Sequence, residues 1–235
     1  MKSFAIPVLL CGAFSFMASS ATAPRFDSEN LSFSINWPSG LSLGESHLTA
    51  SRAKPTADAG EKLRFEFGVD ASVPGFQVVD RYKAEASGNF CSTEFDRKAQ
   101  HGRKTTEEKT TFDASNDTAT RETTGGGKSQ LSVSSCAKDA LTYLYYVRNE
   151  LSQGRLPATQ TVYLGAPYEV RLEFAGTQSI RLGDANVEAD RLTASAKGPA
   201  SEIHFEVFFL KDAARTPALV RVPLALGTFS MELVR

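Results

Sequence analysis

The chain has 235 residues, of which 41% are hydrophobic and 23% charged, and its formal net charge is -1. These values are typical of a folded globular protein and exclude a disordered, collagen-like or multispan membrane protein. The nearly balanced charge gives no electrostatic footprint for nucleic acid or for an anionic membrane surface. Composition therefore predicts no nucleic-acid partner, and it does not identify a biochemical activity.

Residues 1–21 predict a secretory signal peptide. Lys2 supplies a positive start, an apolar run of about 14 residues follows, and small residues lead to Ala21. This run is shorter than the roughly 20 residues that cross a bilayer, so we expect it to be removed rather than kept as an anchor. Cleavage after Ala21 is preferred, because a cut two residues later would be obstructed by Pro24. The expected product is a single β-rich domain, residues 24–235, in the periplasm or secreted, with no transmembrane segment.

Two cysteines, Cys91 and Cys136, remain once Cys11 leaves with the signal peptide. An even pair in a chain that enters an oxidising compartment predicts a disulfide. The loop of about 45 residues that it closes corresponds to roughly 4 kcal/mol in the chain-entropy model. Two free buried thiols are the alternative.

The remaining sequence mostly alternates apolar and polar residues with a period of two, which is typical of half-buried strands. Turn signals recur roughly every 8 to 12 residues. Clear strands are predicted at residues 31–37, 63–70, 168–174 and 203–209, with a separate short strand at 179–182. The sequence thus predicts an all-β fold: a curved antiparallel sheet or open β-barrel with one packed α-helix.

That helix is predicted at about residues 137–153, where the apolar period changes to helical spacing. Asp139 suits its first turn, and Gly154 is a natural stop. The residues at helical spacing are Leu141, Leu144, Tyr145, Arg148 and Leu151.

Residues 90–109 carry many charges of both signs. Threonines among them favour extended structure, and Gly102 suits a hairpin turn. Mixed signs predict a solvated sheet face or an edge protected by charge, and the alternative is a binding groove.

Candidate catalytic and metal-binding motifs do not fit. The sequence Gly127-Lys128-Ser129 lacks the earlier glycine of a phosphate loop, because Glu122 stands there. There is no G-x-S-x-G elbow. His47, His101 and His204 lie in separate segments and do not supply the three or four ligands of a metal site. We therefore assign no catalytic residue, no metal and no cofactor.

A family resemblance appears in the second half of the chain. Residues 139–148 (DALTYLYYVR) resemble the helix signature of a bacterial exported family, the domain of unknown function 3108. The similarity continues at 165–170 (GAPYEV), is strongest at 208–217 (FFLKDAARTP), and extends to the closing segments VRVP and GTFSMEL. The resemblance implies an exported, mostly β protein of unestablished activity, and it supplies no catalytic residues. The charged stretch 90–109 and the two cysteines depart from the family pattern.

Within the strongest motif, Asp212 and Arg215 are expected to organise the turn before Pro217 by hydrogen bonds, which is a structural role.

Two main hypotheses for function remain. The first is a non-enzymatic envelope binding protein whose curved sheet encloses a lipid or another apolar molecule. The second is a structural or protein-interaction module that uses the charged stretch, and a hydrolase of envelope polymers ranks third. Aromatic side chains would line the apolar site, or else simply fill the core: Phe65, Phe67, Tyr82, Tyr145, Phe205 and Phe209.

Overall fold

The structure is a computed structural model, and it describes residues 26–53, 60–73, 75–225 and 227–234. The predicted signal peptide lies outside the described residues. The described part of the chain contains one α-helix, α1, at Ala140–Ser152. It also contains the following strands: β1 (Ser28–Asn36), β2 (Ser42–Ala53), β3 (Lys62–Val73), β4 (Phe76–Ser87), β5 (Ser92–His101), β6 (Lys104–Asp113), β7 (Thr118–Thr123), β8 (Gly127–Ser132), β9 (Lys138–Asp139), β10 (Gln160–Tyr163), β11 (Pro167–Leu182), β12 (Ala185–Lys197), β13 (Glu202–Leu210), β14 (Pro217–Leu224) and β15 (Gly227–Leu233).

All these strands belong to one sheet. Its order runs from β8 down to β1, then from β15 down to β9. Within β1–β8 and within β10–β15, strands that are consecutive in sequence pair antiparallel as hairpins, and the β1–β15 pair joins the two halves of the sheet. The short strand β9 pairs with β10 in parallel. Short hairpin connections of this kind need only tight turns, which agrees with the closely spaced turn signals in the sequence.

The sheet rolls up until its β9 end meets β5. The backbone N–H of Ser92 donates to the carbonyl of Ala137 at 2.9 Å, and Cys91 forms a disulfide with Cys136 beside this contact. This pairing is the one that the sequence predicted. The all-β fold with a curved sheet and one packed helix is also confirmed.

The start of helix α1 is fixed by a capping side chain. Asp139 is the N-cap, and its side chain accepts hydrogen bonds from the backbone N–H groups of Leu141 and Thr142. After the helix, Gly154 takes a φ of 73°, a left-handed conformation that favours glycine and ends helices. The observed helix therefore lies inside the predicted range. Of the described helices, none is long and apolar enough to cross a membrane.

Strand β11 differs from the prediction of two shorter strands. It is continuous from Pro167 to Leu182, and its register with β12 shifts between Phe174 and Thr177. Gly176, at a φ of 99°, lies in this bulge. A bulge interrupts the period-two pattern without ending the strand, which is why the sequence suggested a break.

Candidate functional site

The interior holds an apolar cavity of about 400 Å³ between helix α1 and the concave face of the sheet. The helix contributes Tyr143, Leu144 and Val147 to its wall. The sheet contributes side chains from both of its halves, including Phe33, Leu48, Phe67, Tyr82, Phe95, Val170, Leu192, Phe205, Phe209 and Met231. The wall is thus almost entirely hydrocarbon and aromatic, and a surface of this kind favours an apolar guest.

The cavity is open on one side. Leu164 and Ile203 both belong to its wall, and both are exposed to solvent, by 37% and 42%. Large apolar side chains that line a cavity and also meet solvent mark its mouth. The cavity is therefore in contact with solvent beside these two residues.

One hydroxyl group stands out in this apolar wall. Tyr143 is 7% exposed, and its hydroxyl has no hydrogen-bond partner among the described residues. Burial raises the pKa of Tyr143, and the neighbouring Tyr146 raises it further. The hydroxyl therefore stays protonated at neutral pH and remains a hydrogen-bond donor without an acceptor.

The six aromatic residues of the sequence hypothesis divide between the cavity and the core. Four of them, Phe67, Tyr82, Phe205 and Phe209, line the cavity. Phe65 and Tyr145 do not, because their rings stack on each other at a centroid distance of 4.0 Å in the packed part of the interior.

The packed side of the helix contains a buried ion pair that the sequence analysis did not identify. The Arg148 side chain is 0% exposed and donates two hydrogen bonds, of 2.7 and 2.6 Å, to the Glu29 carboxylate of β1. Its Nε also donates to the carbonyls of Ala214 and Arg215. Tyr145 donates to the same Glu29 carboxylate at 2.9 Å. This network fixes the helix to β1 and to the turn before β14, so its role is structural.

The apolar wall changes to a charged one along a single row of the sheet. Leu48, Phe67 and Tyr82 are consecutive cross-strand partners on β2, β3 and β4. The next partners in that row are Arg97 on β5 and Glu108 on β6. Directly paired residues project from the same face of a sheet, so Arg97 and Glu108 lie on the face that carries the cavity wall, next to the residues that line the cavity but not among them.

At the charged end of this row, two arginines share one carboxylate unequally. Arg121 donates two hydrogen bonds to Glu108, at 3.1 and 2.7 Å, whereas Arg97 Nη1 lies 3.8 Å from the same carboxylate. The Arg97 Nε is buried and has no hydrogen-bond partner among the residues that the structure describes. Arg97 is therefore the less satisfied of the two guanidinium groups.

A second polar group adjoins Tyr82. Its hydroxyl and the imidazole of His101 both contact the carboxylate of Asp80, at 3.3 and 3.0 Å. Burial and then the negative charge of Asp80 raise the pKa of Tyr82, while the positive charge of Arg97 acts in the opposite direction. An acidic and a basic side chain, Asp80 and Arg97, are thus both close to the hydroxyl of the cavity-lining Tyr82.

The charged stretch 90–109 forms the β5–β6 hairpin, and most of its outward charges pair across strands. Lys98 contacts Glu107 at 2.6 Å, and Lys109 contacts Glu94 at 2.7 Å. Side chains alternate between the two faces of a strand, so Arg97 projects inward while its neighbour Lys98 projects outward. The basic residues of the stretch that the interaction hypothesis invokes are Arg97, Lys98, Arg103 and Lys104, and they therefore do not all project from one face.

The turn before β14 is held by Asp212. Its carboxylate accepts hydrogen bonds from the backbone and hydroxyl of Thr216, at 2.9 and 2.8 Å. Arg215 pairs instead with Asp190 of β12 at 2.8 Å, and Pro217 is buried at the start of β14. Across the described ranges, no group of three or more His, Cys, Asp or Glu side chains is placed to hold a metal ion.

The family model of DUF3108, a protein of unknown function, matches residues 32–234. The chain belongs to the DUF3108 family. The match covers both halves of the sheet and the helix, so the cavity of this DUF3108 protein lies wholly within the family domain. The resemblance that the sequence motifs suggested is thereby confirmed.

A solved structure shares the fold. The β-barrel-like protein of domain of unknown function DUF1849 from Brucella abortus is similar to this DUF3108 protein with a TM-score of 0.60. The similarity covers 90% of this chain and 98% of that chain, at 7% sequence identity. At that identity the likeness shows the fold alone. No curated protein matches the sequence.

Proposed function

We propose that this DUF3108 protein is a non-enzymatic binding protein of the bacterial envelope that holds an apolar ligand in its interior cavity. The observation that carries the proposal is the carbon-lined cavity beside helix α1, open at Leu164 and Ile203. Protein interiors are normally close-packed, and voids larger than a water molecule are few. A cavity of about 400 Å³ beneath the sheet loses packing contacts and does not stabilise the fold. Binding of a ligand explains why it is present.

The proposal includes export. The basic start, apolar run and small residues of the segment 1–21 support a signal peptide, and an oxidising periplasm would suit the Cys91–Cys136 pair. Mass spectrometry of the protein from a periplasmic fraction of its native host would give the mature N-terminus. Protein found only in the cytosol with Met1 retained would contradict this part of the proposal.

A fluorescent apolar dye tests the cavity directly. Uncharged N-phenyl-1-naphthylamine is expected to bind with a rise in fluorescence at one site per chain. Ala196 lies in the cavity wall, so Ala196→Phe would occupy the space and weaken dye binding by about tenfold or more, which corresponds to 1.4 kcal/mol.

The matched control is Ser195→Phe, which adds the same ring to the adjacent residue on the opposite face of β12. It is expected to leave dye binding unchanged. Dye binding that is absent from the original protein, or that both variants weaken equally, would contradict a cavity-binding role.

The interaction-module alternative has weaker support. The outward charges of β5 and β6 are largely paired with one another, so this face offers few free charges of one sign to a partner. Charge reversal of Arg97, Lys98, Arg103 and Lys104 is accordingly expected to leave capture of envelope partners unchanged.

A further inference from the structure

We infer that the cavity takes a single-chain amphiphile with an anionic head group, a carboxylate or a phosphate, and that Arg97 binds this head group. The inference rests on the proposed function, because it assigns the chemistry of the molecule that the same cavity would hold. Three independent features of the described residues support it: the order of side chains along one sheet row, the unmet hydrogen-bonding capacity of Arg97, and the position of Arg97 relative to the mouth.

The first feature is the abrupt change of polarity along the row. Phe67 and Tyr82 stack at a centroid distance of 6.1 Å and form part of the apolar wall. Arg97 is the next cross-strand partner of Tyr82, and Phe95, two residues earlier on the same face of β5, lines the cavity. A ligand lying against this wall therefore meets hydrocarbon first and a guanidinium group at the end. Such an order matches the two parts of an amphiphile.

The second feature is the poor pairing of Arg97 within the protein. Glu108 is already engaged by two hydrogen bonds from Arg121, and Asp80 is engaged by His101 and Tyr82. Arg97 keeps a contact of 3.8 Å to Glu108 and a contact with the Tyr82 hydroxyl, and its buried Nε has no partner among the described residues. A buried donor without an acceptor is unfavourable, whereas an Arg–carboxylate or Arg–phosphate pair satisfies two donors at once.

The third feature places this guanidinium at the entrance. A Cβ atom added to Gly165 would lie 2.9 Å from the Glu108 Oε2 and 3.5 Å from the Arg97 Nη1. The Gly165 backbone therefore packs directly against this pair, and the preceding residue, Leu164, is exposed at the cavity mouth. A head group bound by Arg97 would lie beside the opening, while its chain would extend inward beneath helix α1.

The size of the cavity favours one chain over two. Its volume of about 400 Å³ is near the lower end of the range of about 300–1,000 Å³ that is usual for small-molecule sites. We therefore expect a single acyl or alkyl chain rather than a lipid with two chains.

The test compares molecules that share one alkyl chain and differ only in the head group. Dodecanol, dodecanoate and dodecyl phosphate are each used to displace N-phenyl-1-naphthylamine from the full chain at neutral pH. Both anions are expected to bind about 10- to 100-fold more tightly than dodecanol, the usual range for hydrogen bonds to charged groups. The tighter of the two anions identifies the head group as a carboxylate or as a phosphate.

Substitutions then assign the preference to Arg97. Arg97→Gln is expected to remove the preference for the two anions over dodecanol. Arg97→Lys keeps the positive charge and is expected to retain a preference for the anions. Lys98→Gln removes one positive charge from the adjacent, outward-facing residue and is expected to have no effect.

The outcomes separate this inference from the proposed function. Equal affinity for dodecanol and the anions, or a preference that Arg97→Gln leaves intact, would overturn the inference while the cavity proposal stands. An equal loss of dodecanol and anion binding in Arg97→Gln would show a structural effect and would also overturn it. Failure of the dye and of every alkyl probe to bind would overturn the proposed function and this inference with it.

Discussion

The two faces of helix α1 each bury a tyrosine, but they differ in how that tyrosine is packed and hydrogen-bonded. Tyr145 stacks on Phe65, and its hydroxyl donates to Glu29, so that both its ring and its polar atom are satisfied. Tyr143, two residues earlier, lines the interior cavity, and its hydroxyl has no partner among the described residues. Both side chains are buried, at 0% and 7% exposed. Burial alone therefore does not distinguish a filled core from the wall of a site.

The difference between these faces shows where the molecule gains stability and where it has room for a guest. On the Tyr145 side, ring stacking, the Arg148–Glu29 pair and cation–π contacts of Arg148 with Phe26 and Tyr145 close the interior. On the Tyr143 side, the helix packs against the sheet in a second hydrophobic cluster, and an apolar cavity remains beside that cluster. Substitutions on the first side are expected to change folding stability, and those on the second to change binding.

The largest effect is expected from Arg148→Leu. The substitution leaves the Glu29 carboxylate in a site that is only 14% exposed, without its guanidinium partner. Removing one partner of a buried ion pair typically costs about 3–5 kcal/mol. We expect a loss of that size in the free energy of unfolding, measured by urea denaturation.

The matched control for this prediction is Arg155→Leu. Arg155 follows helix α1 and pairs with Glu150 of that helix at 3.0 Å, but its side chain is 58% exposed. Exposed pairs typically contribute about 0–1 kcal/mol. If Arg148→Leu lowers the free energy of unfolding no more than Arg155→Leu does, then the packing on the Tyr145 side of the helix does not depend on the buried ion pair.

A smaller effect is expected from Tyr145→Phe. The ring remains to stack on Phe65, and only the hydrogen bond to the Glu29 carboxylate is lost. Hydrogen bonds to charged groups typically contribute about 1.5–3 kcal/mol, so we expect a decrease of that size in the free energy of unfolding. Dye binding in the cavity serves as the control and should be unchanged, since Tyr145 does not line it.

Much of the fold could be predicted from the sequence because its cause is local. The alternation of Ile203, Phe205 and Val207 with polar residues predicts a strand wherever it occurs, and strand β13 is found there. The helix was predicted for the same reason, from Leu141, Leu144 and Leu151. The parallel strand β9 was not predicted, because two residues carry no period, and its pairing depends on the rolling of the whole sheet.

The site could be predicted only in part. The apolar period placed Phe65 and Phe67 on one face of β3, and this much is local. Whether each ring packs in the core or lines the cavity depends on which side of helix α1 faces it, and Tyr145 reaches Phe65 but not Phe67. The sequence does not distinguish Arg97 from the other charges of the stretch 90–109, because this stretch carries charge on both faces of its strands. Only the register that pairs Tyr82 with Arg97 shows that this one points inward.

The smallest effect is expected from Tyr143→Phe, and its sign differs from that for Tyr145→Phe. The Tyr143 hydroxyl is buried without an acceptor among the described residues, so its removal deletes no hydrogen bond and relieves the cost of desolvating a polar group. We expect the free energy of unfolding to stay within about 0.5 kcal/mol of the original value or to rise. Some ligands would accept a hydrogen bond from the Tyr143 hydroxyl. Tyr143→Phe is expected to bind such a ligand more weakly than the original protein does, because the variant lacks the donor. A clear loss of stability without any ligand would mean that the Tyr143 hydroxyl already has a partner in solution, and that the two faces of the helix are more alike than their contacts indicate.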